Sequence, residues 1–251
     1  MIRIIIIFLL FFKYSYAAKI GETEITTEEG IEVFQNEKYY KLKKNVNIVT
    51  KDFELKANFV KAHFEENLYD ITNVEAEENA ILFSKRGIEA KGEKIIFSIK
   101  NENILVSGKD SYLLINEINM FSNEIIKVDN LKGDFNLNGE GSYIKTENIE
   151  VYGGNIDGSY LQNEQGFEVE KLIVTDTNKV NIFTNSIEMF ALKATYSKKN
   201  NIIELFDDVK IIRGQEIIIG DYAIIDTLEE SYKIKNINSK SVKVLISEEN
   251  E

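Results

Sequence analysis

The sequence predicts an all-β protein, an elongated twisted roll of stacked antiparallel strands with no significant helix. Three observations carry that expectation. Apolar and polar residues alternate with period two from about residue 30 to residue 246, as in strands with one buried face. One strand pattern returns without a gap: Val46-Asn-Ile-Val-Thr-Lys-Asp-Phe-Glu-Leu-Lys-Ala-Asn-Phe59 lines up with Val209-Lys-Ile-Ile-Arg-Gly-Gln-Glu-Ile-Ile-Ile-Gly-Asp-Tyr222. The register persists where Tyr69 and Ile71 meet Tyr232 and Ile234, which points to stacked β units. Pro is absent from all 251 residues, and Pro is excluded from central strands because it removes a ladder donor. A bias toward Ile, Asn, Lys and Glu gives the same absence, so this third observation weighs least.

The chain opens Met1-Ile-Arg, continues with the apolar run Ile4 to Phe12, and reaches Lys13-Tyr-Ser-Tyr-Ala17. A basic start, an apolar stretch and a small-residue cut site are the parts of a secretory signal peptide. The run is short of the roughly 20 apolar residues that span a bilayer. The expectation is a signal over residues 1–17 and an exported mature chain. The alternative is a short uncleaved anchor in which Lys13 snorkels. Residues 18–251 then form a single domain, its repeat least clear over about 108–180.

Removing residues 1–17 takes away Arg3 and Lys13 and leaves 28 basic against 42 acidic side chains, a charge near −14. Such a surface repels phosphate backbones and disfavours nucleic-acid binding. Cys is absent, so an exported domain must be held by its own core, and a chain of this length can build one.

The clearest strands are Phe53-x-Leu55-x-Ala57-x-Phe59, Ile95-x-Phe97-x-Ile99, Ile104-x-Val106, Ile149-x-Val151 and Val242-x-Val244-x-Ile246. Turns are expected at Lys51-Asp52, Glu65 to Asn67, Lys85 to Gly87, Lys100 to Asn103, Gly139 to Gly141, Gly153 to Asn155, Lys198 to Asn201 and Arg213 to Gln215. Asn, Asp and Gly accept positive φ cheaply. Met189 to Thr195 contains helix formers, but Phe190, Leu192, Ala194 and Tyr196 alternate, so it reads as strand. The rhythm suits a sandwich or roll. So much Ile, Phe and Leu on one face must pack on itself or on a ligand.

Reactive centres are missing. His63 is the single His, and with no Cys a transition-metal site has only carboxylates to draw on. In the strand Val60-Lys-Ala-His-Phe64 it reads as an ordinary polar-face residue. The pairs Glu65-Glu66, Asp207-Asp208 and Glu229-Glu230 lack the spacing of a calcium loop. Adjacent carboxylates on a strand point to opposite faces, so solvated turns are expected there. Gly139-x-Gly141 and Gly153-Gly154 precede no helix that would cradle phosphate. No Gly-x-Ser-x-Gly elbow occurs. No enzyme, metal or cofactor is expected.

The stretch from Asn201 to Asp226 resembles the OstA-like domain of the LptA family of lipopolysaccharide-transport proteins. Gly220, Asp221, Ala223 and Asp226 stand at the family's signature positions, and the earlier copy holds Ala57 and Asn58, with Val60 matching Ala223. A weaker echo runs from Gly87 to Phe97. The resemblance covers roughly residues 30–107 and 186–246, and the mature chain is longer than is usual for that family. It implies a β-jellyroll in the periplasm that carries lipopolysaccharide between inner and outer membranes. The related LptC group keeps its N-terminal anchor, so the fate of the first apolar run separates the two.

On this reading lipid A occupies a seam lined by Phe53, Leu55, Phe59, Ile211, Ile218 and Tyr222, with Lys210 and Arg213 facing its phosphates. Partners are other β-jellyroll components of the pathway. Terminal strands near Ile25 to Phe34 and Val242 to Ile246 would stack by main-chain pairing, giving head-to-tail self-association. Rival readings are a structural β-solenoid of the surface, an outer-membrane barrel and a carboxylate hydrolase. The barrel would need apolar-out strands with aromatic girdles, whereas Glu and Lys run through nearly every strand and Trp is absent.

Overall fold

The computed structural model describes residues 23–246 apart from 69, 164, 165, 185 and 238–240. The expected signal over residues 1–17 and the matched position Tyr69 lie outside the described residues. Among those described, the chain is all β, with eighteen strands in one antiparallel meander and no helix. Strands β1 (Glu24–Thr26), β2 (Ile31–Phe34), β3 (Tyr39–Val49), β4 (Phe53–Phe64), β5 (Ile71–Ser84) and β6 (Ile88–Ser98) come first. Four short strands follow: β7 (Asn103–Ser107), β8 (Ser111–Ile115), β9 (Ile118–Ser122) and β10 (Ile125–Asp129). Then come β11 (Asp134–Lys145), β12 (Glu150–Asn163), β13 (Gly166–Phe183), β14 (Glu188–Ser197), β15 (Ile202–Arg213) and β16 (Glu216–Asp226), and finally β17 (Ser231–Lys235) and β18 (Lys243–Ile246).

Nearly every long strand is interrupted near its middle. Pairing shifts register between Lys43 and Val46 in β3, Lys56 and Phe59 in β4, Glu77 and Ala80 in β5, Asn138 and Ser142 in β11, Thr175 and Val180 in β13, and Phe206 and Val209 in β15. Elsewhere the interruption is complete: β7 and β8 both pair with β6, and β17 and β18 both pair with β16. These interruptions align into a crease that divides the meander into two sheets sharing most of their strands. Sheet I holds the half-strands running 39–43, 59–64 and 71–77 onward to 222–226; sheet II holds 46–49, 53–57 and 80–84 onward to 216–220.

The sequence makes the crease with pairs of residues in the left-handed region. Lys44 and Asn45 lie at φ 64° and 48°, Glu78 and Asn79 at 63° and 60°, and Asp207 and Asp208 at 63° and 50°. Such pairs add residues to one strand without pairing them, so the strand bends there. The turns expected at Gly139 to Gly141 and Gly153 to Asn155, and at Asp207-Asp208, are therefore corrected: they are bulges inside β11, β12 and β15. Local composition cannot separate a bulge from a hairpin, because both draw on positive φ. The other expected turns fall at hairpins, and the Met189 to Thr195 stretch is strand, within β14.

In the middle of the crease, small buried hydroxyls replace lost ladder bonds. Ser142 Oγ donates to the Gly139 carbonyl at 2.7 Å, and Ser111 Oγ donates to that of Gly108 at 2.7 Å. Both serines are fully buried, where an unpaired carbonyl would be costly. Inward side chains of both sheets, among them Leu42, Leu55, Val60, Ile95, Leu137 and Ile211, form one continuous core. Each contributes about 1.5–3 kcal/mol by burial. The repeat occupies equivalent places: Val46 stands opposite Ala57 as Val209 stands opposite Gly220, on sheet II just before the crease.

Candidate functional site

Opposite the crease, the hairpin turns of the two sheets face each other and form a mouth. Over the first half of the meander this mouth is shut. Phe53 of sheet II and Phe97 of sheet I meet edge to face with ring centroids 6.0 Å apart. Arg86 Nη1, on a turn of sheet II, lies 3.4 Å from Glu102 Oε1 on a turn of sheet I. The Glu102 side chain is only 14% exposed. Desolvation lifts its carboxyl above the usual range, Arg86 opposes that shift and Asp52 adds to it.

Over the second half the mouth holds a cavity of about 560 Å³. Sheet II contributes Ile118, the turn Thr146 to Ile149, and Thr184, Ile187 and Met189. Sheet I contributes Phe167, Val169, Tyr196, Ile203, Ile225 and Leu228. Val169, Ile187, Met189, Ile203 and Ile225 are buried members of the core, so the floor is apolar. The sheet II turns are held by threonine. The Thr184 amide donates to the Ile187 carbonyl at 3.0 Å, and the Ile187 amide donates to Thr184 Oγ1 at 3.2 Å. Thr146 with Ile149 and Thr50 with Phe53 repeat the amide-to-carbonyl bond at 2.9 Å each. Near the C-terminal end the sheets are joined again: the Tyr232 hydroxyl donates to Glu216 Oε2 at 3.1 Å, and Arg213 Nη2 lies 3.9 Å from Glu230.

The rim is acidic. Glu117, Glu147, Glu168, Asp226 and Glu230 line the cavity, with Lys198 as the one cation among the described lining residues. Lys198 Nζ sits 2.6 Å from Glu168 Oε1, and that hydrogen bond raises its pKa. Asp226 accepts the amides of Leu228 and Glu229, both at 2.9 Å, and so caps the turn that borders the cavity. Among the described residues no group of three or more His, Asp or Glu could hold a metal ion, and no helix is long and apolar enough to cross a membrane.

The residues expected to line a lipid seam divide. Phe53, Leu55, Ile211 and Ile218 are buried and face inward, but none of the four borders the cavity. Phe59 and Tyr222 point the other way, onto the outer face of sheet I, because a crease bulge lies between each and the inward residues before it. Tyr222 packs on Phe206 and hydrogen-bonds Glu204 there. Lys210 lies on the outer face of sheet II, 5.8 Å from the Phe190 ring centroid. That ring ends an aromatic row running through Phe121, Tyr143, Tyr152 and Phe183. Arg213 stands at the mouth. Ala57 and Gly220 flank the crease, Ala223 is buried beyond it, and Asp221 accepts the Ile237 amide at 3.1 Å. Asn58 is half-buried at the β4 bulge. His63, on the outer face of sheet I, has Nε2 3.5 Å from Glu75.

The cavity residues Ile118, Ile187, Met189 and Ile203 were missed by pattern reading, since they look like any other strand residue. A signal existed in the recurring Thr-x-x-apolar spacing at Thr50, Thr146 and Thr184, which marks the turns of one lip.

No family model and no curated protein sequence matches the chain. Among solved structures, the crystal structure of LptH, the LptA homologous periplasmic component of the lipopolysaccharide transport device from Pseudomonas aeruginosa, is similar at 13% identity and a TM-score of 0.44. The match covers 52% of this chain and 95% of that one.

Proposed function

We propose that this protein is a lipid carrier of the cell envelope, exported to the periplasm, that holds the acyl part of an amphiphile in the mouth between its sheets. The observation that carries the proposal is the cavity: apolar on its floor, polar at its rim, and open where the rest of the mouth is shut. Its volume falls within the roughly 300–1,000 Å³ of small-molecule sites. Each methylene taken from water contributes about 0.8 kcal/mol. Holding and releasing a lipid needs no reactive centre, and the role is binding without catalysis.

Lipopolysaccharide is the cargo that the OstA-like resemblance implies, with lipid A chains in the seam and transfer toward the outer membrane. Among the described residues each terminal strand pairs on one side only, β2 with β3 and β18 with β16. Val244 and Ile246 of β18 are 54% and 68% exposed, so an added strand from a second copy or from another jellyroll component would find free main-chain groups and apolar cover.

A photo-crosslinking amino acid placed in turn at Ile187, Met189 and Ile203, and at Phe59 and Tyr222 as outer-face controls, tests the carrier. Cross-links to added lipopolysaccharide or lysolipid are expected from the first set alone. Labelling from neither set, or equally from both, rejects a carrier with its site at this mouth.

A further inference from the structure

The apolar floor accepts acyl chains whatever they carry, so selection falls to the rim. Five carboxylates line the cavity beside one ammonium. Lys198 is held by Glu168 at 2.6 Å, and the nearby Arg213 is drawn to Glu230 at 3.9 Å. Neither cation is left over for an incoming anion. Glu117 and Glu147, on neighbouring turns of the sheet II lip, are exposed and make no ion pair among the described residues. The nearby Lys145 is engaged by Glu150 at 3.0 Å. The whole chain carries a net charge of the same sign, at −12, so its mean field adds to that of the rim. A headgroup at this mouth would stand within a Debye length, about 10 Å in moderate salt, of several carboxylates at once.

We infer that this mouth favours amphiphiles that present no net negative charge to its sheet II lip, and disfavours a bare phosphate ester there. The inference rests on the carrier reading and narrows it. Uncharged glycerol or sugar heads, and zwitterions with an outermost ammonium, meet acceptors in Glu117, Glu147 and Asp226. A phosphorylated glycolipid enters with its phosphates turned away from this lip.

The test uses three ligands with one acyl chain: a monoacylglycerol, a lysophosphatidylcholine and a lysophosphatidic acid. Each is titrated into the delipidated full chain at low and at physiological salt. The first two should bind roughly tenfold tighter than the third at low salt, and added salt should shrink the gap. Lysophosphatidic acid binding as tightly as the monoacylglycerol overturns the inference and leaves the carrier standing. Failure of all three to bind overturns the carrier and the inference with it.

The double variant Glu117→Lys, Glu147→Lys sits on exposed turns and should bring lysophosphatidic acid to parity while monoacylglycerol affinity stays within about twofold. The milder Glu117→Gln, Glu147→Gln pair should move the same way by less. No change in either pair overturns the assignment of selectivity to this lip.

Discussion

Arg86 and Glu102 meet across the mouth at 3.4 Å from hairpin turns that belong to opposite sheets. The contact, with Phe53 against Phe97, shuts one half of the seam. It also places a carboxylate where water is scarce.

Burial raises the Glu102 pKa more than Arg86 lowers it. Between its ordinary value and the raised one, the native state binds more protons than the unfolded chain, so stability falls as pH rises through that window. Glu102→Gln removes the effect. The variant should exceed the parent in denaturant midpoint at neutral pH, and the gap should close below the ordinary carboxylate range. Arg86→Ala leaves Glu102 facing Asp52 and should cost about 0.5–1 kcal/mol at neutral pH.

Tyr40 is 1% exposed and its hydroxyl has no hydrogen-bond partner among the described residues. Burial drives its pKa far above the ordinary phenol value. Leaving such a donor unpaired costs about 1–3 kcal/mol. Tyr40→Phe keeps the ring stacked near Phe64 and should raise stability by about 1 kcal/mol in chemical denaturation.

The two copies of the repeat tolerate different residues at their matched small position. A Cβ on Gly220 would lie 2.5 Å from Ile234 Cγ2 and 3.2 Å from the Lys235 carbonyl. Ile234 is β-branched and cannot swing aside. Gly220→Ala should therefore destabilise by about 1–3 kcal/mol. At Ala57 the space is already filled, and Ala57→Gly should cost about 0.5–1 kcal/mol through backbone freedom. Thermal melts of the two variants separate these causes by magnitude.

Asp207 and Asp208 both hold positive φ at the β15 bulge. Glycine adopts that region without the penalty an L side chain meets. Asp208→Gly should stabilise by about 1 kcal/mol or leave stability unchanged, whereas Asp208→Val should lose about 1–3 kcal/mol and slow exchange protection should drop along β15.

A bulky residue at the lip tests access apart from stability. Ser186 is exposed and lines the cavity. Ser186→Trp should lower lysolipid binding by at least roughly tenfold while the melting temperature stays within a few degrees, since surface changes usually fall within about 0.5 kcal/mol.

Alternation by itself determined that this chain is all β, that Met189 to Thr195 is strand, and that Val46 to Phe59 and Val209 to Tyr222 build the same hairpin. Those are local properties, written in period two and in turn chemistry. Facing was decided by the tertiary structure. From Phe53 to Ala57 every odd residue points inward, yet Phe59 points outward, because the crease bulge inserts a residue and reverses the parity of everything beyond it. The same reversal turns Tyr222 outward in β16. Which half of the mouth closes also depended on partners far apart in sequence, since Phe53 finds Phe97 and Arg86 finds Glu102 only when two sheets fold onto one another. Strand identity follows from neighbours along the chain; the cavity follows from neighbours across it.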